Sequence, residues 1–296
     1  ILNQSPAEFS EQKVTIEQGS GASQIAAQLA EQGVVKSELL LLLSLRYTVD
    51  ATQIQAGTYK FTEPETTLEV ARTLVSGELF HELISVTFIE GMRAQEFAVS
   101  ADADLPLVDT EAFLEQTTGL EGQLFPETYF VPDDFSTEQL VKLLTDTHEE
   151  TLTELLDGAS TTLSTDEIVI LASIVEREAN TPESMRTVAG VFMNRIAIGM
   201  PLQADASIEY VIDTPLGELA PGQLAAELRE LDSPYNTYLN QGLPPTPIGN
   251  PGRIALAAVI DPIESDYFYY ITGNDGEFYY AETYNQHLIN IERHLR

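Results

Sequence analysis

The stretch from residue 164 to residue 195 constrains the fold of this chain more than any other. Ser164 and Glu167 form an S-x-x-E capping box, in which each side chain satisfies a free backbone N–H at a helix start. Residues 168–175 are almost all apolar, so the pattern predicts a helix that is buried on nearly every side. Pro182 interrupts the pattern, and a second helix is predicted from there to the end of the stretch.

Two carboxylates, Glu176 and Glu178, come at the C-terminal end of the predicted buried helix. Burial and the negative end of the helix dipole both disfavour a charged carboxylate, so at least one of the two pKa values is expected to be raised. A carboxylic acid that is still protonated near neutral pH is what general-acid cleavage of a glycosidic bond requires. The two acids lie about 200° apart on a helix, so they face one cleft only if the helix ends between them.

The chain is strongly acidic and contains no cysteine. Its 47 acidic residues outnumber 14 basic ones, which gives a formal net charge of −33 over 296 residues. Nucleic acid is a poor partner, because phosphate binding depends on Lys and Arg, and charge-driven docking on an anionic membrane is equally disfavoured. Without cysteine the chain has neither a disulfide nor a thiol nucleophile. No His/Asp/Glu cluster has metal-ligand spacing, so no metal and no cofactor is predicted.

The order of predicted elements indicates an α+β fold with two parts. Residues 1–12 are polar and are interpreted as a linker. Residues 13–80 contain a predicted strand, two helices, a second strand and a third helix closed by Gly77, an order that resembles the LysM-like module of glycan-binding wall proteins. An α+β adaptor without a ligand is the alternative. Residues 81–296 contain the buried helix and are predicted to form a mixed α/β catalytic domain.

The C-terminal part has long, proline-rich connections and ends in β structure. Residues 199–205 and 233–252 are rich in side chains that bind hydroxyls and amides, and loops this long in a compact domain are usually functional. Two aromatic-rich strands, 267–272 and 277–281, are predicted to be joined by a Gly-Asn-Asp-Gly turn. The earlier segment 119–132 mixes Gly, Pro and aromatic residues and is predicted to be a stiff loop.

Seven segments, in this order, resemble the YceG-like family of endolytic murein transglycosylases, the MltG type. They are EGQLFPETY (121–129), LASIVEREA (171–179), VFMNR (191–195), GMPLQAD (199–205), SPYNTY (233–238), GLPPTPIGNPG (242–252) and AETYNQH (281–287). Each motif alone is weak evidence, but together they cover the chain from about Val86 to its end. The LysM-like part before them is also similar to that family.

The resemblance implies a bacterial enzyme that cleaves the β-1,4 bond between N-acetylmuramic acid and N-acetylglucosamine in nascent glycan strands and leaves a 1,6-anhydro end. It also implies an extracytoplasmic catalytic part, held at the cell membrane by one N-terminal helix that would precede this chain. The sequence begins with Ile1 rather than Met, so an upstream segment is expected to have been removed. Peptidoglycan strands are the implied substrate, and peptidoglycan synthases are candidate partners.

The catalytic glutamate of the family falls in the SIVERE motif, and we align it with Glu178 and treat Glu176 as its neighbour. Glu178 shares a helical stripe with apolar residues three, four and seven positions before it, which agrees with this choice. The alternative is that one of the two acids forms a salt bridge with Arg186 or Arg195.

A lone glutamic acid suffices for the implied reaction, because the C6 hydroxyl of the sugar can close on C1 without water. A muramidase-type hydrolase would need a second acid, roughly 5–5.5 Å away for retention or 6.5–9.5 Å for inversion. Glu127 and Asp205 are the candidates for it. Glu127 stands where the family often has Asp, and Asp205 is followed by Ala-Ser where the family usually has Pro-Thr. A non-catalytic glycan-binding scaffold of wall synthesis is the other alternative.

Several further side chains are predicted to bind substrate by their chemistry. Amide and hydroxyl groups that can bind N-acetyl and hydroxyl groups belong to Asn194, Gln203, Tyr235 and Asn236. Rings that can stack on sugar faces belong to Tyr129 and Tyr210, and His287 is a further candidate. The alternatives are helix capping for Asn194, packing within loops for the tyrosines, and packing or capping for the histidine.

Overall fold

The computed structural model describes residues 5–6, 9–212 and 230–295. Residues 1–4, 7 and 8 of the predicted linker therefore lie outside the described part. Contacts between Cα atoms divide the chain into two compact units, 1–83 and 84–296. In the described ranges the chain forms eleven α-helices and three two-stranded sheets, which confirms a mixed α and β structure. None of the described helices combines the length and the apolar composition that a bilayer-crossing segment needs.

The first unit contains two strands and three helices. They are β1 (Gln12–Ile16), α1 (Ala22–Glu31), α2 (Glu38–Tyr47), β2 (Gly57–Phe61) and α3 (Thr67–Ser76). The strands pair antiparallel with Val14 opposite Tyr59, and both side chains are fully buried. The Tyr59 hydroxyl donates hydrogen bonds to the carbonyls of Gln55 and Leu74, so this core tyrosine also satisfies backbone groups of the turn and of α3.

The second unit begins with a strand pair and helices that share one core. These elements are β3 (Leu83–Thr87), α4 (Ala94–Asp104), α5 (Thr110–Gln116), β4 (Thr128–Pro132) and α6 (Thr137–Leu156). Strand β4 pairs with β3, so the prediction of a loop throughout 119–132 is wrong for its last residues. Tyr129 and Val131 are buried while Thr128 and Phe130 are exposed. The run Tyr-Phe-Val is apolar on both faces of the strand, which hides this alternation in the sequence.

The rest of the second unit surrounds the long apolar helix. The elements are α7 (Thr165–Glu178), α8 (Pro182–Ala197), α9 (Asp205–Ile212), α10 (Arg253–Ile260), β5 (Tyr269–Thr272), β6 (Phe278–Ala281) and α11 (Tyr284–His294). Six apolar side chains of α7 are buried: Ile168, Val169, Leu171, Ala172, Ile174 and Val175. The prediction of a helix buried on nearly every side is confirmed, and the buried body of α7 directs its C-terminal acids to fixed places.

The capping box at the start of α7 is expected to stabilise this helix. The Ser164 hydroxyl accepts from the N–H of Glu167 at 3.3 Å, and the Glu167 carboxylate accepts from the N–H of Ser164 at 2.8 Å. Ser164→Ala removes the first bond and is expected to lower the free energy of unfolding by about 1 kcal/mol in urea titrations. Ser160→Ala, in the exposed preceding loop, is the control and should change it little. Equal losses in both variants would contradict the capping role.

Candidate active site

Helix α7 ends at Glu178, and its carboxyl group meets a tyrosine from the C-terminal hairpin. The hydroxyl of Tyr270 in β5 donates a hydrogen bond of 2.8 Å to Oε2 of Glu178. Burial raises the pKa of Glu178, while the hydrogen bond from Tyr270 lowers it and the negative charge of Asp205 raises it further. The net direction is upward, so this carboxyl keeps its proton at higher pH than an exposed glutamate does.

Glu176 occupies a different environment on the same helix turn. Its Oε2 accepts a hydrogen bond of 2.9 Å from the backbone N–H of Gly252, the N-cap residue of α10. Burial raises the pKa of Glu176, the bond from Gly252 lowers it, and the nearby Glu90 raises it. Glu176 therefore satisfies a free N–H at the start of α10, where the helix dipole favours a negative charge.

The nearby arginines are engaged by other groups than the two glutamates. Arg177 forms an ion pair of 2.6 Å with Glu209 of α9, and Arg186 forms one of 2.8 Å with Asp261. The buried guanidinium of Arg195 donates to the backbone carbonyls of Phe268, at 2.7 Å, and of Leu202. Within the described ranges, neither glutamate forms a salt bridge with Arg186 or Arg195, so that alternative is wrong.

The loop before α9 brings a second acid toward Glu178. The hydroxyl of Tyr238 donates a hydrogen bond to Asp205, whose side chain is exposed. Gln203 is also exposed and has a positive φ of 52°, an uncommon backbone conformation for a residue other than glycine. Its N–H donates to the carbonyl of the buried Thr237 at 3.0 Å, which holds the loop in this conformation. Gln203 and Asp205 are thus both accessible to solvent, and the charge of Asp205 lies near Glu178.

His287 of α11 packs on Tyr269, the residue before Tyr270. Its ring stacks on Tyr269 with 5.3 Å between ring centroids, and the guanidinium of Arg195 lies 5.7 Å from the ring of Tyr269. Burial lowers the pKa of His287, and the positive charge of Arg195 lowers it further. Its Nδ1 is buried and has no hydrogen-bond partner among the residues the structure describes. The imidazole is therefore neutral at physiological pH.

A cleft of about 1210 Å³ opens beside the C-terminal end of α9. Tyr210 and Tyr235 line it, with 4.9 Å between their ring centroids. The guanidinium of Arg93 lies 4.9 Å from the centre of the Tyr210 ring, and the hydroxyls of Tyr235 and Thr246 are 2.8 Å apart. Aromatic faces beside hydroxyl groups are the surface on which a sugar ring can stack and form hydrogen bonds.

Glu178 does not line this cleft, but α9 connects the two places. Asp205 at the start of α9 lies near Glu178, and Tyr210 near its end faces the cleft. Glu209 between them holds Arg177 of α7 at 2.6 Å. The structure therefore brings Tyr210 and Tyr235 together, and separately Glu178 and Asp205, with α9 shared by both groups, while His287 packs on Tyr269.

A buried polar pair that the sequence did not reveal joins Glu121, which lines the cleft, to Asn250 behind it. The fully buried Asn250 amide accepts from the N–H groups of Gly122 and Leu124, at 2.8 and 3.0 Å. It donates to the carbonyl of Met92 at 3.0 Å and to Glu121 at 2.9 Å. Both residues belong to motifs of the family resemblance, EGQLFPETY and GLPPTPIGNPG, but the motifs do not indicate that the two side chains meet.

Three predicted site residues belong to the framework of the second unit: Tyr129, Asn236 and Asn194. Tyr129 is buried and its hydroxyl donates to the carbonyl of Phe125 at 2.9 Å, so its ring is not available to a sugar. Asn236 is fully buried and donates to the carbonyl of Leu231 at 2.8 Å. Each side chain satisfies backbone groups of its own segment, so substrate contact by these two residues stays a prediction that their burial does not favour.

Asn194 and Glu127 are also placed away from the acids. The Asn194 amide donates to the carbonyls of Ser265 and Tyr267, at 2.7 and 2.9 Å, so it neither caps its helix nor points to the cleft. Glu127 is exposed just before β4, and its carbonyl accepts from Phe88 at 3.0 Å. Asn194 therefore anchors the segment before β5, and Asp205 is the acid that the structure brings near Glu178.

Glu121 makes the stability of the second unit depend on pH. Burial raises the pKa of Glu121 from 4.5 to about 7. Below about pH 4.5 the carboxyl is protonated in both the folded and the unfolded chain. As the pH rises toward 7 it ionises only in the unfolded chain, so the free energy of unfolding falls by roughly 3 kcal/mol. Glu121→Gln should match the wild type in urea unfolding at pH 4 and exceed it at pH 8. Glu127→Gln, an exposed acid of the same segment, is the control, and parallel wild-type and Glu121→Gln curves would contradict the assignment.

Comparisons with known proteins agree with this architecture. The sequence profile of the YceG-like family matches residues 14–293. An endolytic murein transglycosylase of Bacillus subtilis strain 168 is 30% identical over 311 residues, which cover 95% of this chain and 84% of that protein.

Two further relatives extend the comparison. An endolytic murein transglycosylase of Streptococcus pneumoniae serotype 2 is 27% identical over 95% of this chain, which spans 58% of the length of that relative. The crystal structure of a yceG-like protein from Listeria monocytogenes has the same fold, with a TM-score of 0.60 at 24% identity over 95% of this chain and 99% of that one. With the family profile matching nearly its full length, the chain belongs to the YceG-like family.

Proposed function

We propose that this protein is an endolytic murein transglycosylase, the name that its relatives from B. subtilis and S. pneumoniae carry. The substrate is the peptidoglycan glycan strand, and the bond cleaved is the β-1,4 linkage between N-acetylmuramic acid and N-acetylglucosamine. The observation that carries the proposal is the carboxyl of Glu178, partly buried at the end of a buried helix and hydrogen-bonded by Tyr270. Its raised pKa suits a general acid.

Glu178 acts first as an acid and then as a base. It protonates the glycosidic oxygen while the bond from that oxygen to C1 breaks, and positive charge develops on the sugar ring. The resulting carboxylate then takes the proton of the C6 hydroxyl as that oxygen bonds to C1. The products are a strand with a 1,6-anhydro end and a strand with a free hydroxyl. Protons balance, Glu178 is regenerated, and neither water nor a cofactor is consumed.

Glu178 is preferred to Glu176 because of what each carboxylate already does. Glu176 accepts a backbone hydrogen bond at the start of α10, so protonating it would weaken a helix cap. Glu178 accepts from the side chain of Tyr270 and from the backbone of Ala206, and has the exposed Asp205 near it. Glu176 is therefore assigned to the framework of the site.

The remaining side chains are assigned to substrate binding. Tyr210 and Tyr235 stack on sugars in the cleft, while Gln203 and His287 offer further hydrogen-bonding groups. In this account a strand runs along α9, because that helix borders both the cleft and the Glu178 site. An endolytic enzyme cuts within a glycan strand, so it must bind sugars on both sides of the cleaved bond.

The first unit, at about 13–80, is proposed to be a LysM-like module that binds glycan. Its order of strand, two helices, strand and helix, with β1 antiparallel to β2, supports this. The catalytic part is proposed to work outside the cytoplasm, where peptidoglycan strands are found. An N-terminal membrane helix is proposed to hold this part at the cell membrane. Peptidoglycan synthases are proposed as its partners.

Hydrolysis is the second candidate, because one observation favours it. The charge of Asp205 lies near enough to Glu178 to raise its pKa, so a second acid is present beside the first. A muramidase-type hydrolase would use Asp205 as nucleophile or as base for water. Asp205 is instead assigned to substrate binding here, because the C6 hydroxyl of the sugar is the nucleophile in the reaction proposed for Glu178 and no second acid is needed.

The length of product strands tests the enzymatic proposal against a glycan-binding scaffold. Uncrosslinked nascent strands are incubated with the protein, and the chain-length distribution is measured by chromatography over time. An endolytic enzyme shortens long strands to intermediate lengths before short fragments accumulate. A protein that retains strands on a column but leaves their length distribution unchanged would be the scaffold, and the proposal would be wrong.

A further inference from the structure

Tyr270 stands out among the residues around Glu178 because its ring is held from several directions. It lies in β5 opposite Tyr280 of β6, and its ring packs edge-on against Phe192 of α8 with 6.0 Å between centroids. Phe278 packs on the same ring at 6.3 Å. The hydroxyl of Tyr270 thus meets Oε2 of Glu178 from a fixed position.

Helix α8 also fixes the backbone that leads into β5. Asn194 donates to the carbonyl of Tyr267 at 2.9 Å, and the next residue, Arg195, donates to the carbonyl of Phe268 at 2.7 Å. Both acceptors lie immediately before the strand that carries Tyr270. The adjacent Asn and Arg of the VFMNR motif therefore hold the strand in place.

The direction of the hydrogen bond determines where the proton of Glu178 can be. Burial and the neighbouring negative charge of Glu178 raise the pKa of Tyr270 well above its ordinary value, so the phenol keeps its proton and donates it. An oxygen that accepts this bond is a poor place for the acidic proton, because a second hydrogen there would face the phenol hydrogen. A backbone hydrogen bond from Ala206 also reaches this carboxyl and lowers its pKa. The bond from Tyr270 to Oε2 favours the proton of a neutral Glu178 on Oε1.

We propose that Tyr270 is a positioning residue that keeps the transferable proton of Glu178 on Oε1 and stabilises the carboxylate left after transfer. This inference rests on the proposed role of Glu178 as general acid. Tyr270 itself neither gains nor loses a proton in the cycle. Its hydrogen bond strengthens as Oε2 becomes charged and weakens again when the proton returns from the C6 hydroxyl.

Tyr270→Phe keeps the ring packing and removes only the hydroxyl. Loss of a hydrogen bond to a carboxylate makes Glu178 a weaker acid, so kcat should fall about tenfold to hundredfold with KM little changed. The bond lowers the pKa of Glu178 and the protonated form is active, so the fall of activity at high pH should move to higher pH. Tyr279→Phe removes a tyrosine–carboxylate bond to the exposed Asp275 in the same hairpin and is the matched control.

The titration of Glu178 gives a readout that does not depend on activity. Carboxyl carbon NMR follows this group, assigned by the signal lost in Glu178→Gln, in the wild type and both tyrosine variants. The proposal expects a higher midpoint in Tyr270→Phe alone, with melting temperatures that show all variants folded. An unchanged midpoint, or a raised KM with an unmoved pH profile, would overturn the role of Tyr270. A wild type that cleaves no strands would instead refute the proposed function.

Discussion

Glu178→Gln is expected to slow the cleavage of glycan strands by about 10²–10⁴-fold, the usual contribution of a general acid. The amide has the size of the carboxyl and can still accept from the Tyr270 hydroxyl, so strand binding should persist. Because burial of the carboxylate is unfavourable, the variant should melt at the same temperature as the wild type or higher. Initial rates of strand cleavage, affinity for uncleaved strands and thermal melting check the three parts.

Glu176→Gln is the matched control for this prediction. It removes the charge that faces the N-terminus of α10 and should lower stability modestly, with a far smaller loss of rate than Glu178→Gln. The reverse ranking of the two rates would show that Glu176 is the acid. A Glu178→Gln protein that binds no strands would mean that Glu178 holds the substrate and does not transfer a proton.

Asn250→Ala is expected to be the most destabilising of the substitutions considered. It leaves the buried N–H groups of Gly122 and Leu124 without an acceptor, whereas the Met92 carbonyl loses the side-chain donor but keeps the backbone N–H of residue 250. Each buried unsatisfied group costs about 1–3 kcal/mol, so a total of roughly 3–5 kcal/mol is expected. For a unit of this size, each kcal/mol corresponds to about 2–4 °C in melting temperature, so a fall on the order of 10 °C should be seen.

Asn240→Ala separates this effect from the general loss of an asparagine. The Asn240 amide also donates two hydrogen bonds, to the carbonyls of Ser233 and Asn236, but its side chain is exposed. Water can replace those bonds, so its melting temperature should change by only a few degrees. Similar shifts in both variants would contradict the claim that Asn250 is the buried junction of segments 92, 121–124 and 250.

The central helix could be predicted from the sequence because its determinants are local. The S-x-x-E box marks the start of α7, the apolar run marks its buried body, and the helical repeat separates Glu176 from Glu178. The structure places these two acids against different partners, Gly252 and Tyr270. The aromatic hairpin and its Gly-Asn-Asp-Gly turn were likewise predicted, since alternation and turn chemistry are properties of a few consecutive residues.

The contacts that make the site were beyond such patterns. Tyr270 is 92 residues from Glu178, and Asn250 is 129 residues from Glu121, and periodicity carries no information on which distant residues meet. The role of polar loop residues could not be predicted for a related reason. Asn236 was expected to face substrate, but it lies buried where it satisfies backbone groups. An amide in a long loop serves ligand and backbone with the same chemistry, so its sequence pattern does not distinguish them.

The origin of the oxygen at the new strand ends tests the central claim most directly. Nascent uncrosslinked strands are cleaved by the wild type in water enriched in heavy oxygen, and the ends are weighed by mass spectrometry. Proton transfer by Glu178 with closure of the C6 hydroxyl predicts ends one water lighter than hydrolysis products, without heavy oxygen, and none of them from Glu178→Gln. Reducing ends that carry heavy oxygen, and that disappear in Asp205→Asn, would contradict the account and identify a hydrolase.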